Sequence, residues 1–547
     1  MAYATVSSGN YTATATYTFE TGVSAIKVMK SDGTTIIASQ AVSSGTATVV
    51  IPYTTADITG AKSFSVVALG NGTVSESTAS VYQRLYDPLN MPPVLSNFTV
   101  GPKSLTDSAF VLSEPTSTMQ TAYTSNSVTR VGQAFTGIPV VTASSNYGFA
   151  AHCMISQDGK RMVYVIPSSS GTFKIFELQA GVWGQVGGDI VGTGAWSGIN
   201  GFAGEESLSI SADGTIVAFG ATNLTTNALY EASGEVSIYQ YDSSKTTAQL
   251  SNGALATYGP AGWNRIGRIQ STEQIGIRVS LSANGKTIAF SGPNYIKVYS
   301  YGGGTTWNQM GSTISGTQYG MRSLKMSANG FSLVQLGHDA FTNMTFHEWN
   351  GSNWIESIIV NGIGNGAKAT MSADGKTIVI NNDTNSSYMR TFTRNPSTGA
   401  WSQINAFAPW LGTVKNLMLS SNGKVLISAN TPSNTPQMKV QLYAWSGTQW
   451  YSINNSLSYN TYDAGSYAAS ASINSDGTRF TWSKFGIIDI YDLNATGLIT
   501  YSSSAPAVAS VHGRVVLMNS VGTSTITATQ TNGSGSGTIT GALTITQ

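Results

Sequence analysis

The sequence predicts an all-β fold, a seven-bladed β-propeller with flanking β-sandwich domains. Three observations predict it. A Ser-x-Asp/Asn-Gly turn, with Asn in place of Ser in the last copy, follows an apolar residue seven times along the chain. Strand-like apolar runs recur between the turns with a period of a few tens of residues. Only 10% of the 547 residues are charged, and the remaining polarity is carried by Ser, Thr, Asn, Gln and 59 Gly, a turn-rich rather than helix-rich composition.

The turns are Ile155-Ser-Gln-Asp-Gly159, Ile210-Ser-Ala-Asp-Gly214, Leu281-Ser-Ala-Asn-Gly285, Met326-Ser-Ala-Asn-Gly330, Met371-Ser-Ala-Asp-Gly375, Leu419-Ser-Ser-Asn-Gly423 and Ile473-Asn-Ser-Asp-Gly477, at intervals of 55, 71, 45, 45, 48 and 54 residues. Asp-Gly and Asn-Gly between β-rich runs read as hairpins with both central residues at positive φ. Each turn precedes a run such as Thr287-Ile-Ala-Phe290 and then one such as Ile296-Lys-Val-Tyr-Ser-Tyr301, and after the first six a further run opens on Trp. The Trp runs begin at Trp183, Trp263, Trp307, Trp354, Trp401 and Trp450. Four short antiparallel strands per repeat make a propeller blade, and seven turns make seven blades.

The seventh blade runs through Ile487-Ile-Asp-Ile-Tyr491 without a Trp-x-Gln-x-Gly strand, while a stray copy, Val128-Thr-Arg-Val-Gly132, precedes the first. Residues 128–137 are therefore expected to close blade seven, giving a propeller over 128–493 with its two ends side by side. Such closure protects sheet edges.

Residues 1–90 alternate with a shorter period, as in Ala25-Ile-Lys-Val-Met-Lys30 and Ser63-Phe-Ser-Val-Val-Ala68, which suits an N-terminal Ig-like or fibronectin-like sandwich. Asp87-Pro-Leu-Asn-Met-Pro-Pro93 reads as a linker. Gly513-Arg-Val-Val516 and Gly522-Thr-Ser-Thr-Ile-Thr-Ala-Thr-Gln530 resemble the bacterial Ig-like (group 2) fold, whose opening strands resemble Leu95-Ser-Asn-Phe-Thr-Val100 and Ser108-Ala-Phe-Val-Leu-Ser113. The resemblance implies one Ig-like sandwich split into 94–120 and 497–547, with the propeller inserted.

Over 150–493, the Ser-x-Asp-Gly turn, the Val/Ile-x-Val-Tyr strand and the Trp-x-Gln-x-Gly strand resemble FG-GAP-like repeats. The Asp-x-Asn-x-Asp loops of the calcium-binding version are missing, so no metal and no cofactor is expected. The same Ig-plus-propeller vocabulary resembles surface and virion proteins of large algal DNA viruses and phage fibres.

Charge narrows the function. Lys+Arg number 27 and Asp+Glu 26, so no net field steers a polyanion and no nucleic-acid partner is expected. No apolar run suggests a membrane span, and no membrane insertion is expected. Cys153 is the one cysteine, which excludes an internal disulfide framework. The N-terminus shows no basic segment followed by an apolar core, so the expectation is synthesis without a signal peptide.

Candidate site residues come from the innermost strands. Four positions before each turn serine, or its counterpart, lie His152, Ser207, Arg278, Ser323, Lys368, Asn416 and Ser470. Three positions before it lie Cys153, Leu208, Val279, Leu324, Ala369, Leu417 and Ala471. Period-two alternation sends the sets to opposite faces, the polar one toward the central channel. There Arg278, Arg322 and Lys368, with His152 and Asn416, are candidates for an anionic ligand. The plainer reading is that a wet channel needs polar walls. The repeat tryptophans read as packing, and Trp196, Trp349, Trp410, Trp445 and Trp482, outside the frame, are the better candidates for sugar or partner contacts, although core packing is the first reading for each.

Enzyme activity is not expected. Sialidase-type boxes separate Asp from Gly, whereas here they are adjacent, and Glu205–Glu206, the conspicuous carboxylate pair, reads as a solvated loop. The expected function is a non-enzymatic surface structural protein of a virion or phage-like particle, located at the virion surface. Its N-terminal domain would anchor it among other particle proteins, and its propeller would be displayed to a host receptor or surface glycan. The alternative is a carbohydrate-binding lectin or adhesin using the propeller face.

Overall fold

The computed structural model describes residues 93–119, 121–138, 152–166, 171–191, 206–222, 234–245, 260–315, 321–337, 342–363, 367–382, 388–407, 413–431, 437–453, 457–460, 470–484, 486–532 and 535–547, with strand segments before residue 84 and at 141–142 and 148–149.

The fold is all-β and propeller-like. Among the described residues, seven consecutive antiparallel sheets follow the same plan, an inner strand leading through a hairpin to successively more external ones. The inner strands are His152–Ile155, Leu208–Ile210, Val279–Leu281, Met321–Met326, Ala369–Met371, Thr413–Leu419 and Ser470–Ile473. Each touches the next, and the last touches the first, so the sheets form a closed cycle. The seventh sheet takes its outer strand from the chain's earlier part: Val128, Thr129 and Arg130 pair with Leu493, Asp492 and Tyr491, and Phe135 bridges Ile488.

The turns that open each sheet differ from the sequence expectation. Positive φ belongs to the glycine alone, for instance 69° at Gly159 and 68° at Gly285, and the preceding Asp or Asn is not left-handed. The reason is that the turn is longer than two residues. Ser156 pairs with Arg161 through the backbone, and Gly159 N–H donates to Ser156 O, a one-turn loop with glycine in the left-handed position. Side chains stitch it. Ser156 Oγ donates to Asp158 Oδ1 at 2.6 Å and accepts from Arg161 N–H at 2.9 Å, while Asp158 Oδ1 accepts from Lys160 N–H. The same bonds recur at Ser211, Ser282, Ser372 and Ser420.

The Trp-x-Gln-x-Gly strand works between sheets. The indole N–H of Trp183 donates to Val131 O, that of Trp263 to Val186 O, that of Trp307 to Ile266 O and that of Trp354 to Met310 O. The glycine of the preceding strand makes the room: a Cβ at Gly132, Gly187 or Gly267 would lie 2.7, 2.6 or 2.4 Å from the next tryptophan's ring. Motif residues from neighbouring sheets are therefore lock and seat. Between sheets, apolar residues form dry layers such as Val163, Phe173, Phe219 and Trp263.

Outside the ring, Leu95–Ser96 pairs with Thr116–Ser117, Ala109–Val111 with Val515–Met518, and Gly101–Ser104 runs parallel to Gly535–Thr546. Leu95, Phe98, Val100 and Leu112 share one core with Val516, Ile526, Leu543 and Ile545. Segments from both ends of the ring thus build one two-sheet unit, flanked by the short two-stranded pair of Leu95–Ser96 and Thr116–Ser117. Before residue 84, strands form one sheet of Ala2–Tyr3, Tyr11–Thr18 and Thr46–Tyr53 and another of Ile36–Ala41, Val23–Lys30, Ser63–Gly70 and Ser80–Gln83.

Candidate functional site in the central channel

Inner-strand residues in the two sets described above alternate. Cys153, Leu208, Val279, Leu324, Ala369, Leu417 and Ala471 are buried between sheets. The other face carries two layers, the first polar and the second polar but for two methionines. The first holds His152, Ser207, Arg278, Ser323, Lys368, Asn416 and Ser470, all buried; the second holds Met154, Ser209, Ser280, Lys325, Thr370, Met418 and Ser472.

Hydroxyls in these layers join one sheet to the next. Ser209 Oγ accepts from Leu281 N–H, Ser280 Oγ from Met326 N–H, Thr370 Oγ1 from Leu419 N–H and Ser472 Oγ from Ile155 N–H. In the first layer Ser323 Oγ accepts from Ala369 N–H and Ser470 Oγ from Cys153 N–H. A buried amide without an acceptor is costly, so small hydroxyl residues at these positions have a structural cause.

Arg278 breaks that pattern, because a guanidinium cannot accept. Its role toward Leu324 N–H is taken by Glu206, reaching past the third sheet to the fourth. Glu206 Oε2 accepts from Leu324 N–H at 3.0 Å and lies 3.9 Å from Arg278 Nε; Oε1 accepts from Ser323 Oγ at 3.3 Å and lies 3.4 Å from Lys325 Nζ. The side chain is 4% exposed. Burial pushes a carboxyl up, but the charges of Lys325, Arg278 and Lys368 outweigh it and hold Glu206 below its ordinary range.

This corrects the reading of Glu206 as a solvated loop residue. A carboxylate next to an inner strand can enter the channel when cations wait there, and the sequence distance from Glu206 to Arg278, Lys325 and Lys368 hid that. Glu205 lies outside the described residues. The structure brings Arg278 and Lys368 to one carboxylate and adds Lys325, which the sequence reading missed although it lies two positions before a turn serine. His152 and Asn416 are buried in the first and sixth sheets. Arg322 lies on the inner strand of the fourth sheet, and its side chain is outside the description. Asn416 Oδ1 and Ser207 Oγ are buried with no hydrogen bond among the described residues.

Below the polar layers the backbone closes a hoop. Gln157 N–H donates to Ala212 O, Ala212 to Ala283, Ala283 to Ala328, Ala328 to Ala373, Ala373 to Ser421, Asn422 to Ser475 and Ser475 to Gln157. Val515 and Leu517 of the two-sheet unit, with Ala109, pack against Ala212 and Ala328 of the hoop. Flanking ion pairs join Glu114 to Lys424 and Arg514, and Asp158 Oδ2 lies 3.4 Å from His512 Nδ1. Above Val515 is a cavity of about 110 Å³, lined by Met154, Ser209, Ser280, Lys325, Thr370 and Met418 among others.

The tryptophans outside the repeat frame are packing residues where they are described. Trp482 is buried, Trp445 lies against Trp450, and Trp349 against Trp354; Trp196 and Trp410 lie outside the described residues. Among the described residues no group of three or more His, Cys, Asp or Glu lies close enough to hold a metal ion.

No protein-family model matches the chain, and no curated protein is significantly similar to it. Solved structures do resemble it. The β-propeller domain of Cps50 (Swd1) from Myceliophteria thermophila matches with 10% identity over 66% of this chain and 100% of that one, TM-score 0.41. A putative 6-phosphogluconolactonase from Bacteroides uniformis matches with 15% identity over 59% of this chain and 89% of that one, TM-score 0.38. The periplasmic gluconolactonase PpgL of Pseudomonas aeruginosa matches with 15% identity over 59% and 88%, TM-score 0.38. Likeness at this level transfers neither activity nor site residues.

Proposed function

We propose that this chain is a non-enzymatic surface structural protein of a virion or phage-like particle, a seven-bladed propeller carried on Ig-like sandwiches and displayed for attachment to a host or partner. The observation that carries this reading is the seal: the two-sheet unit at the ends of the ring covers one mouth of the channel with Val515 and Leu517. A head held by two chain connections and a buried contact is presented in one orientation, with its other face left for a partner. The N-terminal strands, ahead of both connections in sequence, would be the anchoring segment. In purified particles the chain should occur at a fixed ratio to the shell protein; a trace, variable amount after washing sinks the proposal.

The gathering of Arg278, Lys325 and Lys368 in the channel supports a second reading, a lectin for acidic glycans. A glycan array discriminates: specific binding abolished by Arg278→Ala with the fold retained favours the lectin, and a blank array removes it.

A further inference from the structure

We propose that the channel contains a carboxylate-binding seat whose resident ligand is the chain's own Glu206, and that the class of ligand it takes in Glu206's place is a small organic carboxylate.

The seat is complete in geometry. Each Glu206 oxygen meets one neutral donor and one cation: Oε2 meets Leu324 N–H and Arg278, and Oε1 meets Ser323 Oγ and Lys325. Lys368 adds a third positive charge nearby. None of these donors lies within the Glu206 segment; they come from the third, fourth and fifth sheets, while Glu206 arrives from the start of the second. The donors would therefore remain in place if the carboxylate were supplied by another molecule. Their chemistry selects the ligand. Two donor pairs on opposite sides of a planar group fit the two oxygens of a carboxylate, and burial of Arg278 at 1% exposure and Glu206 at 4% makes an empty seat costly. Ser323 Oγ is itself oriented, since it accepts from Ala369 N–H and so has its proton free for the carboxylate. The cavity below, lined by Lys325, leaves space beside the seat. The inference is independent of whether the protein binds glycans or belongs to a particle.

Truncation tests it in the full-length chain. Glu206→Ala should lower Tm, and sodium formate or acetate should restore it saturably by about 2 °C or more over sodium chloride at equal ionic strength. The wild type, with its seat filled, should show no such rise. An Ala variant equally insensitive to formate, acetate and chloride, or a wild type that responds as strongly as the variant, overturns the proposal. Where Glu206→Ala does not fold, Glu206→Gln decides. It keeps one carbonyl oxygen to accept from Leu324 N–H, removes the charge and puts an NH2 donor where the second oxygen faced Ser323 and Lys325, so a Tm below wild type supports a seat built for a carboxylate, and an unchanged Tm overturns it.

Discussion

At the scale of single residues, two buried titratable groups set how stability follows pH. Glu206 has a folded-state pKa below its ordinary value, so its contribution is present above the unfolded pKa and is lost as pH falls through the folded one. The stability gap between wild type and Glu206→Gln should therefore be of the order of 3 kcal/mol at neutral pH, the cost of breaking a buried pair, and close only as pH falls through the carboxyl's depressed folded-state range; denaturant melts across pH check it. His347 works through desolvation. It is 1% exposed, hydrogen-bonds Thr345 and lies 3.9 Å from Glu356, and burial pushes it down from 6.5 to about 4. The unfolded chain takes up the proton first, so stability falls as pH drops from 6.5 toward 4, by about 3 kcal/mol in all. His347→Gln should flatten that stretch of the pH–stability curve; an unchanged slope contradicts it. Neither residue announces itself in sequence. A histidine in an alternating strand and a glutamate just ahead of an inner strand are ordinary, and only the partners brought from other sheets make them buried titrating groups.

At the scale of elements, the repeat motifs were legible and their cause was not. Recurrence of Ser-x-Asp-Gly marks where hairpins fall, because the hydrogen bonds that hold the turn are local to it. Ser282 Oγ both donates to Asn284 and accepts from Thr287 N–H, so Ser282→Ala should cost about 1–3 kcal/mol by leaving the buried Thr287 amide unserved, read as a shift in denaturation midpoint at constant slope. The local pattern misled on backbone geometry, since Asp-Gly by itself does not say whether the loop is two residues or four. The Trp-x-Gln-x-Gly strand is the reverse case. Its residues look like a single-strand motif, yet Trp263 and Gly187 meet only across the gap between two sheets. Gly267→Ala would put a methyl 2.4 Å from Trp307 Nε1 and should destabilise by about 1–3 kcal/mol; paired with Trp307→Phe, which deletes that nitrogen, the two changes should be non-additive in a double-mutant cycle.

At the scale of the whole molecule, ring and two-sheet unit share a buried contact, and their unfolding should be coupled. Val515→Ala removes packing against the alanine hoop and should cost about 2 kcal/mol, lowering one calorimetric transition rather than splitting off a second. Cys153 reports the ring: it is fully buried, and burial pushes its thiol up to about 11, so a thiol reagent should label it only as that transition is crossed. Labelling well below the transition contradicts the closed ring. Sequence alone determined the strand repeat, the alternation of inner-strand faces and the low charge, because period, turn chemistry and composition act over a few neighbouring residues. Tertiary structure alone decided that Glu206 sits among Arg278, Lys325 and Lys368 and that Val515 stops the channel. Those contacts join residues tens to hundreds of positions apart, and no local rule selects which distant sheet a side chain will meet when a ring closes.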